Sequence, residues 1–107
     1  MTYQELKDEE QLYLMHTYGR FPAALDHGKG ATLWDIDGKK YIDLTSGIGV
    51  SSLGHDNEAL VSALNEQAHK LLHASNLYLT EPMVQVAKEL VTSCGMGKIF
   101  FSNSGAE

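Results

Sequence analysis

The sequence is poor in the features that mark secreted, membrane-bound or nucleic-acid-binding proteins. It has one cysteine, Cys94, so an internal disulfide is excluded and a reducing compartment, the cytoplasm, is expected. Its 14 acidic residues outnumber its 8 lysines and arginines, and no basic cluster occurs, which argues against a nucleic-acid partner. No apolar run approaches the length of a membrane span, and the N-terminus does not resemble a signal peptide. We therefore expect a cytoplasmic protein whose partners are neither nucleic acids nor membranes.

Patterns for metal and nucleotide binding are also missing. His69 and His73 stand four residues apart in a predicted helix, as two zinc ligands would, but no third clustered ligand accompanies them. We predict a solvated helix face there and no metal site. The G-x-G pairs in HGKG and SGIG lack the further residues of a dinucleotide fingerprint or a P-loop, so turns are predicted instead. His16, His27 and His55 are isolated in the sequence and are interpreted as structural.

The stretch ATLWDIDGKKYIDL is typical of a β-hairpin. Asp37-Gly38 is a favoured two-residue loop, because glycine adopts positive φ without a steric penalty and aspartate tolerates it better than most residues. With these two residues as the loop, the sequence predicts four cross-strand pairs, of which the last three are favourable matches. They are Ile36 with Lys39, Asp35 with Lys40, Trp34 with Tyr41 and Leu33 with Ile42.

Three helices and one further strand are predicted elsewhere. The first helix lies near residues 3–16 and has only weak cap signals, and the second covers residues 57–73 with Asp56 as its N-cap. The third begins at Thr80 and ends before Gly95, a residue suited to a left-handed helix terminus. The segment KIFFS, residues 98–102, is predicted to be a short buried strand. Because a buried strand needs neighbours on both sides, we expect the chain to be part of a larger domain.

The last residues, SNSGAE, follow this strand and allow two interpretations. A strand that turns into a helix presents unpaired backbone N–H groups at a positive dipole end, which suits a phosphate. Glycine lets the backbone approach such an anion, and a serine hydroxyl adds a donor. However, Ser104 and Glu107 also have the spacing of a capping box, in which each side chain accepts from the other's backbone. On spacing alone, ordinary capping is favoured over an anion site.

Four ordered motifs carry a resemblance to a known family. They are TYGRFPAAL, GKGATLWDIDGKKYIDLTSGIGVSSLGH, HASNLYLTEP and KIFFSNSGAE. Together they resemble the N-terminal quarter of the class III aminotransferases, which use pyridoxal 5'-phosphate. The resemblance implies the N-terminal portion of an α/β, fold type I transferase. It also implies a small-domain segment over residues 1–76, with a helix and a β-hairpin, and the start of the large cofactor-binding domain over residues 77–107.

The same resemblance implies the positions of a site. The family binds the cofactor phosphate at an S-G-A turn, which corresponds to Ser104, Gly105 and Ala106. Tyr18 corresponds to an aromatic near the substrate, and Ile48 to part of the active-site wall. No residue of the chain corresponds to a catalytic group, since the lysine that binds the cofactor lies beyond Glu107 in such enzymes. The 107-residue chain alone is therefore expected to be inactive.

The implied activity is transfer of an amino group from N-acetylornithine to 2-oxoglutarate, a step of arginine biosynthesis, by a homodimer. The partners would then be a small-molecule amino donor and a 2-oxo acid. Two alternatives remain open at this point. One is another class III aminotransferase or an aminomutase, and the other is a non-catalytic truncated fragment.

Overall fold

The computed structural model describes residues 1–107, which form two compact units, Met1–Glu66 and Gln67–Glu107. The predicted domain limit between residues 76 and 77 stays a prediction. None of the helices has the length and apolar content needed to cross a bilayer. In chain order the elements are α1 (Tyr3–Tyr13), β1 (Leu25–Lys29), β2 (Thr32–Asp35), β3 (Lys40–Ile42), α2 (Glu58–Ala68) and α3 (Glu81–Cys94).

Helix α1 begins with a strong cap that the sequence analysis overlooked. The Thr2 hydroxyl accepts a hydrogen bond from the Glu5 amide at 3.2 Å, and the Glu5 carboxylate accepts from the Thr2 amide at 2.8 Å. This reciprocal pair is a complete capping box. The expectation of weak cap signals was therefore wrong, because T-x-x-E stands at the very start of the sequence. The helix ends at Tyr13, three residues earlier than predicted.

The predicted hairpin is present, but its register is shifted by one residue. The observed partners across β2 and β3 are Thr32 with Ile42, Leu33 with Tyr41 and Trp34 with Lys40. The predicted pairs, including the aromatic pair of Trp34 and Tyr41, were therefore wrong. A shift of one residue places every side chain of one strand opposite a different neighbour. Lys40 now lies over the Trp34 ring, with Nζ 5.5 Å from its centroid.

Asp35 causes the shift because its carboxylate organises a longer loop than Asp37-Gly38 alone. Its Oδ1 accepts from the amides of Asp37 and Lys39 at 3.1 and 2.8 Å, and the Asp35 amide donates to the Lys39 carbonyl at 3.1 Å. The loop therefore has three residues, 36–38, and Gly38 takes the left-handed conformation at φ +79°. Asp35 Oδ2 also accepts from the Tyr41 hydroxyl at 2.7 Å, which lowers the pKa of Asp35 and raises the pKa of Tyr41.

A third strand, β1, extends the hairpin into an antiparallel sheet of order β1-β2-β3. β1 and β2 are joined by a tight turn in which Lys29 faces Thr32, as expected for a turn at HGKG. The pairing is irregular between Leu25 and His27. The His27 ring stacks on Trp34 with centroids 5.0 Å apart and planes 9° from parallel.

Helix α2 is shorter than predicted at both ends. Its N-cap is Asn57, whose Oδ1 accepts from the Leu60 amide at 3.1 Å, while Asp56 precedes it with a positive φ of 51°. The prediction of Asp56 as the N-cap was therefore wrong. The helix ends at Ala68, so both His69 and His73 lie outside it. The prediction that they share one helical face was therefore wrong.

Helix α3 confirms its predicted limits, but the strand predicted after it does not form. α3 starts after Thr80 and ends at Gly95, which has φ 71° and donates its amide to the Val91 carbonyl at 3.0 Å. Residues 98–102 pair with no strand, and the prediction of a strand there was wrong for this chain. The physical reason is that β-structure requires a hydrogen-bonding partner, and the one sheet of the chain is the β1-β2-β3 sheet.

The chain has an unusual burial pattern, in that its most buried residue is charged. Asp35 is 8% exposed and is the single buried residue, whereas no hydrophobic side chain reaches the same degree of burial. Large apolar residues are instead widely exposed, as Leu44 at 90% and Phe100 at 82% illustrate. The local structure of the first unit therefore depends heavily on hydrogen bonds to carboxylates.

We predict that substitutions at Gly38 report directly on the three-residue loop. Gly38→Ala should destabilise the hairpin by roughly 1–2 kcal/mol, since an L-residue is strained at this φ, and Gly38→Asn should cost less. Hydrogen exchange of the β2 and β3 amides measures the effect. Gly19→Ala is the control, because its Cβ would meet no neighbouring atom. Equal protection in Gly38→Ala and the unsubstituted chain would contradict the left-handed loop.

Candidate functional site

The predicted phosphate residues Ser104, Gly105 and Ala106 lie together in one exposed turn of the second unit. The predicted capping box between Ser104 and Glu107 does not form. The Glu107 carboxylate instead accepts from the Asn103 amide at 2.7 Å, and the Ser102 hydroxyl donates to the Ser104 carbonyl at 2.9 Å. The capping interpretation of the Ser104 side chain is therefore wrong, because its predicted backbone partner, the Glu107 amide, turns to the Ser104 carbonyl at 3.4 Å.

This turn leaves polar groups available to an anion. The amides of Ser104, Gly105 and Ala106 donate to no other group of the chain, and the Ser104 hydroxyl is also unengaged. A Cβ built on Gly105 would meet no atom within 4 Å, so the space beside the backbone is open. Consecutive amides and a hydroxyl are the donors that a phosphate group accepts from. The residues present therefore fit the phosphate end of a cofactor.

The two predicted substrate residues lie in the first unit, on separate segments. Tyr18 is 77% exposed and precedes the sheet, and Ile48 is 98% exposed in the loop between β3 and α2. Ile48 is conformationally unusual, since its φ is +60° within a run of four residues with positive φ, 46–49. A left-handed conformation costs an L-residue roughly 1–2 kcal/mol, and β-branching makes it rarer still. Something in the first unit must hold this loop.

Asp43 holds the start of that loop. It follows β3, its side chain is 5% exposed, and its Oδ1 accepts from the Thr45 amide and hydroxyl, both at 3.0 Å, and from the Ser46 amide at 2.8 Å. Its Oδ2 lies 2.7 Å from His55 Nε2. These donors, His55 first among them, lower the pKa of Asp43 from 3.8 to about 2. Asp43 is therefore ionised at neutral pH, and His55 Nε2–H is the donor.

His55 holds the end of the loop against the sheet. Its backbone forms a bridge with Gly30 through hydrogen bonds of 2.8 and 2.9 Å. Its ring lies on Gly28, where an added Cβ would come within 2.7–2.9 Å of ring and Cβ atoms. Gly54 has φ +80°, and a Cβ added to it would lie 3.1–3.3 Å from backbone atoms of Gly30. The lack of a side chain at Gly28 and at Gly54 therefore allows His55 to approach the sheet.

The second unit contains a cavity of about 700 Å³. Its lining is largely apolar and includes Leu71, Tyr78, Leu79, Met83, Val86 and Phe101. The turn formed by residues 104–106 is not part of this lining. No group of three or more His, Cys, Asp or Glu side chains in residues 1–107 is arranged to hold a metal ion.

The structure brings the three phosphate residues together, whereas sequence reasoning missed the pairing of Asp43 with His55. The sequence indicates only an isolated structural histidine at position 55, and it predicts no role for Asp43. One local signal existed, because D-L-T-S places an aspartate two and three residues before amides that it can accept from, a common turn-forming arrangement. The contact with His55 spans twelve residues and has no such signal in the sequence.

Comparison with known proteins adds independent information. A sequence profile of the family described as Aminotransferase class-III matches residues 13–107. An acetylornithine aminotransferase of Haemophilus ducreyi is 49% identical over 107 residues, covering all of this chain and 27% of that protein. The crystal structure of acetylornithine aminotransferase from Elizabethkingia anophelis superposes with a TM-score of 0.94 at 31% identity, over 99% of this chain and 28% of that one.

A third similar protein has a different named substrate. The structure of taurine:2-oxoglutarate aminotransferase from Bifidobacterium kashiwanohense, in complex with PLP and glutamate, superposes with a TM-score of 0.86 at 30% identity. The match covers 99% of this chain and 25% of that one. The chain thus spans about a quarter of the length of the relatives that it matches.

We predict that the loop amides report the ionisation of Asp43. Because the folded-state pKa of about 2 lies below the ordinary 3.8, the hydrogen bonds are complete above pH 4 and are lost as the pH falls towards 2. The NMR resonances of the Thr45 and Ser46 amides should therefore titrate with a midpoint near 2. Asp43→Asn should abolish this titration, whereas Asp26→Asn, in the exposed Asp26–His27 pair, should leave it unchanged. A midpoint near 3.8 would contradict the assignment.

Proposed function

Because the chain belongs to the class III aminotransferase family, we propose that the protein that contains it transfers an amino group from N-acetylornithine to 2-oxoglutarate, in arginine biosynthesis. The observation that supports this donor is the 49% identity to the Haemophilus ducreyi acetylornithine aminotransferase over all 107 residues. Class III aminotransferases depend on pyridoxal phosphate.

The alternative donors are amines used by other members of the same family. The taurine:2-oxoglutarate enzyme has nearly the same fold over this segment, so the fold alone does not choose the donor. Identity in the superposed structures does not choose it either, at 31% for the Elizabethkingia anophelis acetylornithine enzyme and 30% for the taurine enzyme. The curated relatives support N-acetylornithine, since acetylornithine aminotransferases among them are 44–51% identical to this chain. Another class III aminotransferase or an aminomutase is the second candidate.

The C-terminal turn is proposed to bind the cofactor phosphate. The unengaged amides of Gly105 and Ala106 and the hydroxyl of Ser104 donate to its oxygens, so the chain fixes one end of the cofactor. When bound, pyridoxal phosphate supplies the electron sink that amino transfer requires. The part of this chain in the reaction is to bind and orient, which makes positional accuracy its contribution.

Tyr18 and Ile48 are proposed to face the substrate. Both side chains are exposed in the first unit, at 77% and 98%, and are therefore available for such contacts. The aromatic ring of Tyr18 offers an apolar face with a polar tip, and Ile48 offers an aliphatic surface. A division at residues 76/77, between a small-domain segment and the start of the large domain, is part of the same proposal.

A homodimer is a further part of the proposal, which the family resemblance implies. Side chains such as Leu44 and Phe100 are 90% and 82% exposed in these 107 residues, and burial of such surface drives both subunit association and packing within a longer protein. The lone and exposed Cys94 agrees with the proposed location in the reducing cytoplasm.

The proposed activity predicts a specific substrate preference for the complete gene product. With pyridoxal phosphate and 2-oxoglutarate, glutamate formation should be fastest with N-acetylornithine, and at least about tenfold slower with taurine. A coupled assay for glutamate measures both rates. The isolated 107-residue chain is the control and should give no transfer. A preference for taurine would exclude the proposed donor, and the absence of transfer from any amine would favour the non-catalytic alternative.

The proposed phosphate turn predicts an effect on cofactor affinity. In the complete protein, Ser104→Ala should weaken pyridoxal phosphate binding about tenfold, because one hydrogen bond to a charged oxygen is lost. Equilibrium dialysis with absorbance detection of the cofactor measures the change. Ser93→Ala is the matched control, since that hydroxyl donates to the Leu90 carbonyl within α3. Equal affinities in both variants would contradict a role of Ser104 in phosphate binding.

A further inference from the structure

The loop between β3 and α2 is held at both ends by one pair of side chains. Asp43 binds the amides at its start, and His55, at its end, is anchored to Gly30 by two backbone hydrogen bonds. The 2.7 Å contact between Asp43 Oδ2 and His55 Nε2 joins these two ends. Residues 44–54, which we call the clasped loop, are therefore closed by this carboxylate–imidazole hydrogen bond together with backbone hydrogen bonds that tie Asp43 to Ala31 and His55 to Gly30.

Closure matters because the interior of the clasped loop is strained. Ser46 and Ile48, both L-residues, have φ values of 43° and 60°, in a region that such residues seldom adopt. Internal hydrogen bonds also hold the turn, such as Ile48 amide to Thr45 carbonyl at 2.9 Å and Ser51 amide to Ser46 carbonyl at 2.8 Å. Strained conformations persist only where the surroundings determine them, and they concentrate at ligand-binding sites.

We propose that Asp43 and His55 are positioning residues, which hold the clasped loop so that Ile48 presents its side chain to the amino substrate. This inference rests on the proposed function for the role of Ile48. Neither residue needs to touch the substrate, because the side chain of Asp43 is 5% exposed and that of His55 is 25% exposed. Ile48, by contrast, is 98% exposed and is held away from the sheet.

The geometry also explains why the pair is a carboxylate and an imidazole. Asp43 uses both oxygens, one for the loop amides and the other for His55. The imidazole is flat, and it fits against Gly28, where an added Cβ would lie 2.7 Å from the ring. A side chain at position 55 must therefore supply an N–H donor at the distance of Nε2 and stay narrow beside Gly28.

This requirement leads to a matched pair of variants in the complete enzyme. His55→Gln keeps an N–H donor at the end of a chain of similar length, and His55→Met has similar length without the donor. We expect His55→Met to raise KM for the amino donor about tenfold, with kcat and pyridoxal phosphate affinity nearly unchanged. His55→Gln should restore KM to within about threefold of the unsubstituted enzyme. His27→Met, in the exposed pair with Asp26, is the control and should leave KM unchanged.

A double variant tests whether His55 acts through Ile48. If it does, His55→Met combined with Ile48→Ala should have a KM close to that of Ile48→Ala alone, because the second change removes the group that the first misplaces. Multiplicative effects on KM would overturn the inference. So would equal KM values in His55→Met and His55→Gln, or a loss of thermal stability with unchanged kinetics.

Hydrogen exchange separates this inference from the proposed function. The amides of residues 45–53 should exchange faster in His55→Met than in His55→Gln, whatever reaction the protein catalyses. If the unsubstituted enzyme transfers no amino group, the proposed function fails, and slower exchange in His55→Gln still supports the clasp. If transfer occurs but exchange is the same in both variants, the clasp fails and the proposed function stands.

Discussion

The structure of the first unit depends on the desolvated carboxylate of Asp43. An ionised carboxylate is costly to remove from water unless each oxygen is hydrogen-bonded, and Asp43 meets this condition with donors from Thr45, Ser46 and His55. The same bonds that compensate for its burial fix the direction of the chain after β3 and attach residue 55 to the sheet. Both carboxylate oxygens of Asp35 are also hydrogen-bonded, within the hairpin. One oxygen sets the loop length by accepting from the Asp37 and Lys39 amides, and the other accepts from the Tyr41 hydroxyl. Asp43 and Asp35 thus each fix the path of one loop of the first unit.

This reliance on carboxylates explains which parts of the fold could be predicted. Helix α3 followed from its apolar spacing and from Gly95, both of which are local signals. The hairpin was predictable in kind, but its register was not, because a favoured Asp37-Gly38 loop competes with hydrogen bonds from Asp35 that lengthen the loop by one residue. The strand predicted at residues 98–102 failed for another reason, since no strand within residues 1–107 pairs with this segment.

The candidate site divides in the same way. The prediction of Ser104, Gly105 and Ala106 as phosphate-binding residues depended mainly on the resemblance, because their spacing alone favoured a capping box that the structure does not contain. The amides that suit a phosphate became apparent once the hydrogen bonds of the turn were known. The hydrogen bond between Asp43 and His55 could not be predicted from sequence periodicity, because the two residues are neither on one helix face nor opposite each other in paired strands. Such contacts depend on the path of a loop, which Gly28 and Gly54 make possible by close packing.

The closure of the sheet by His55 has a consequence for the order of folding during synthesis. The strand pairing, the backbone bridge between Gly30 and His55 and the contact between Asp43 and His55 all lie between Ala24 and His55. Contacts of such short sequence separation form quickly, and N-terminal segments leave the ribosome first. This segment can therefore assume its shape while later parts of the protein are still being translated. The β1-β2-β3 sheet and the loop after it are then already folded when the following residues pack against them.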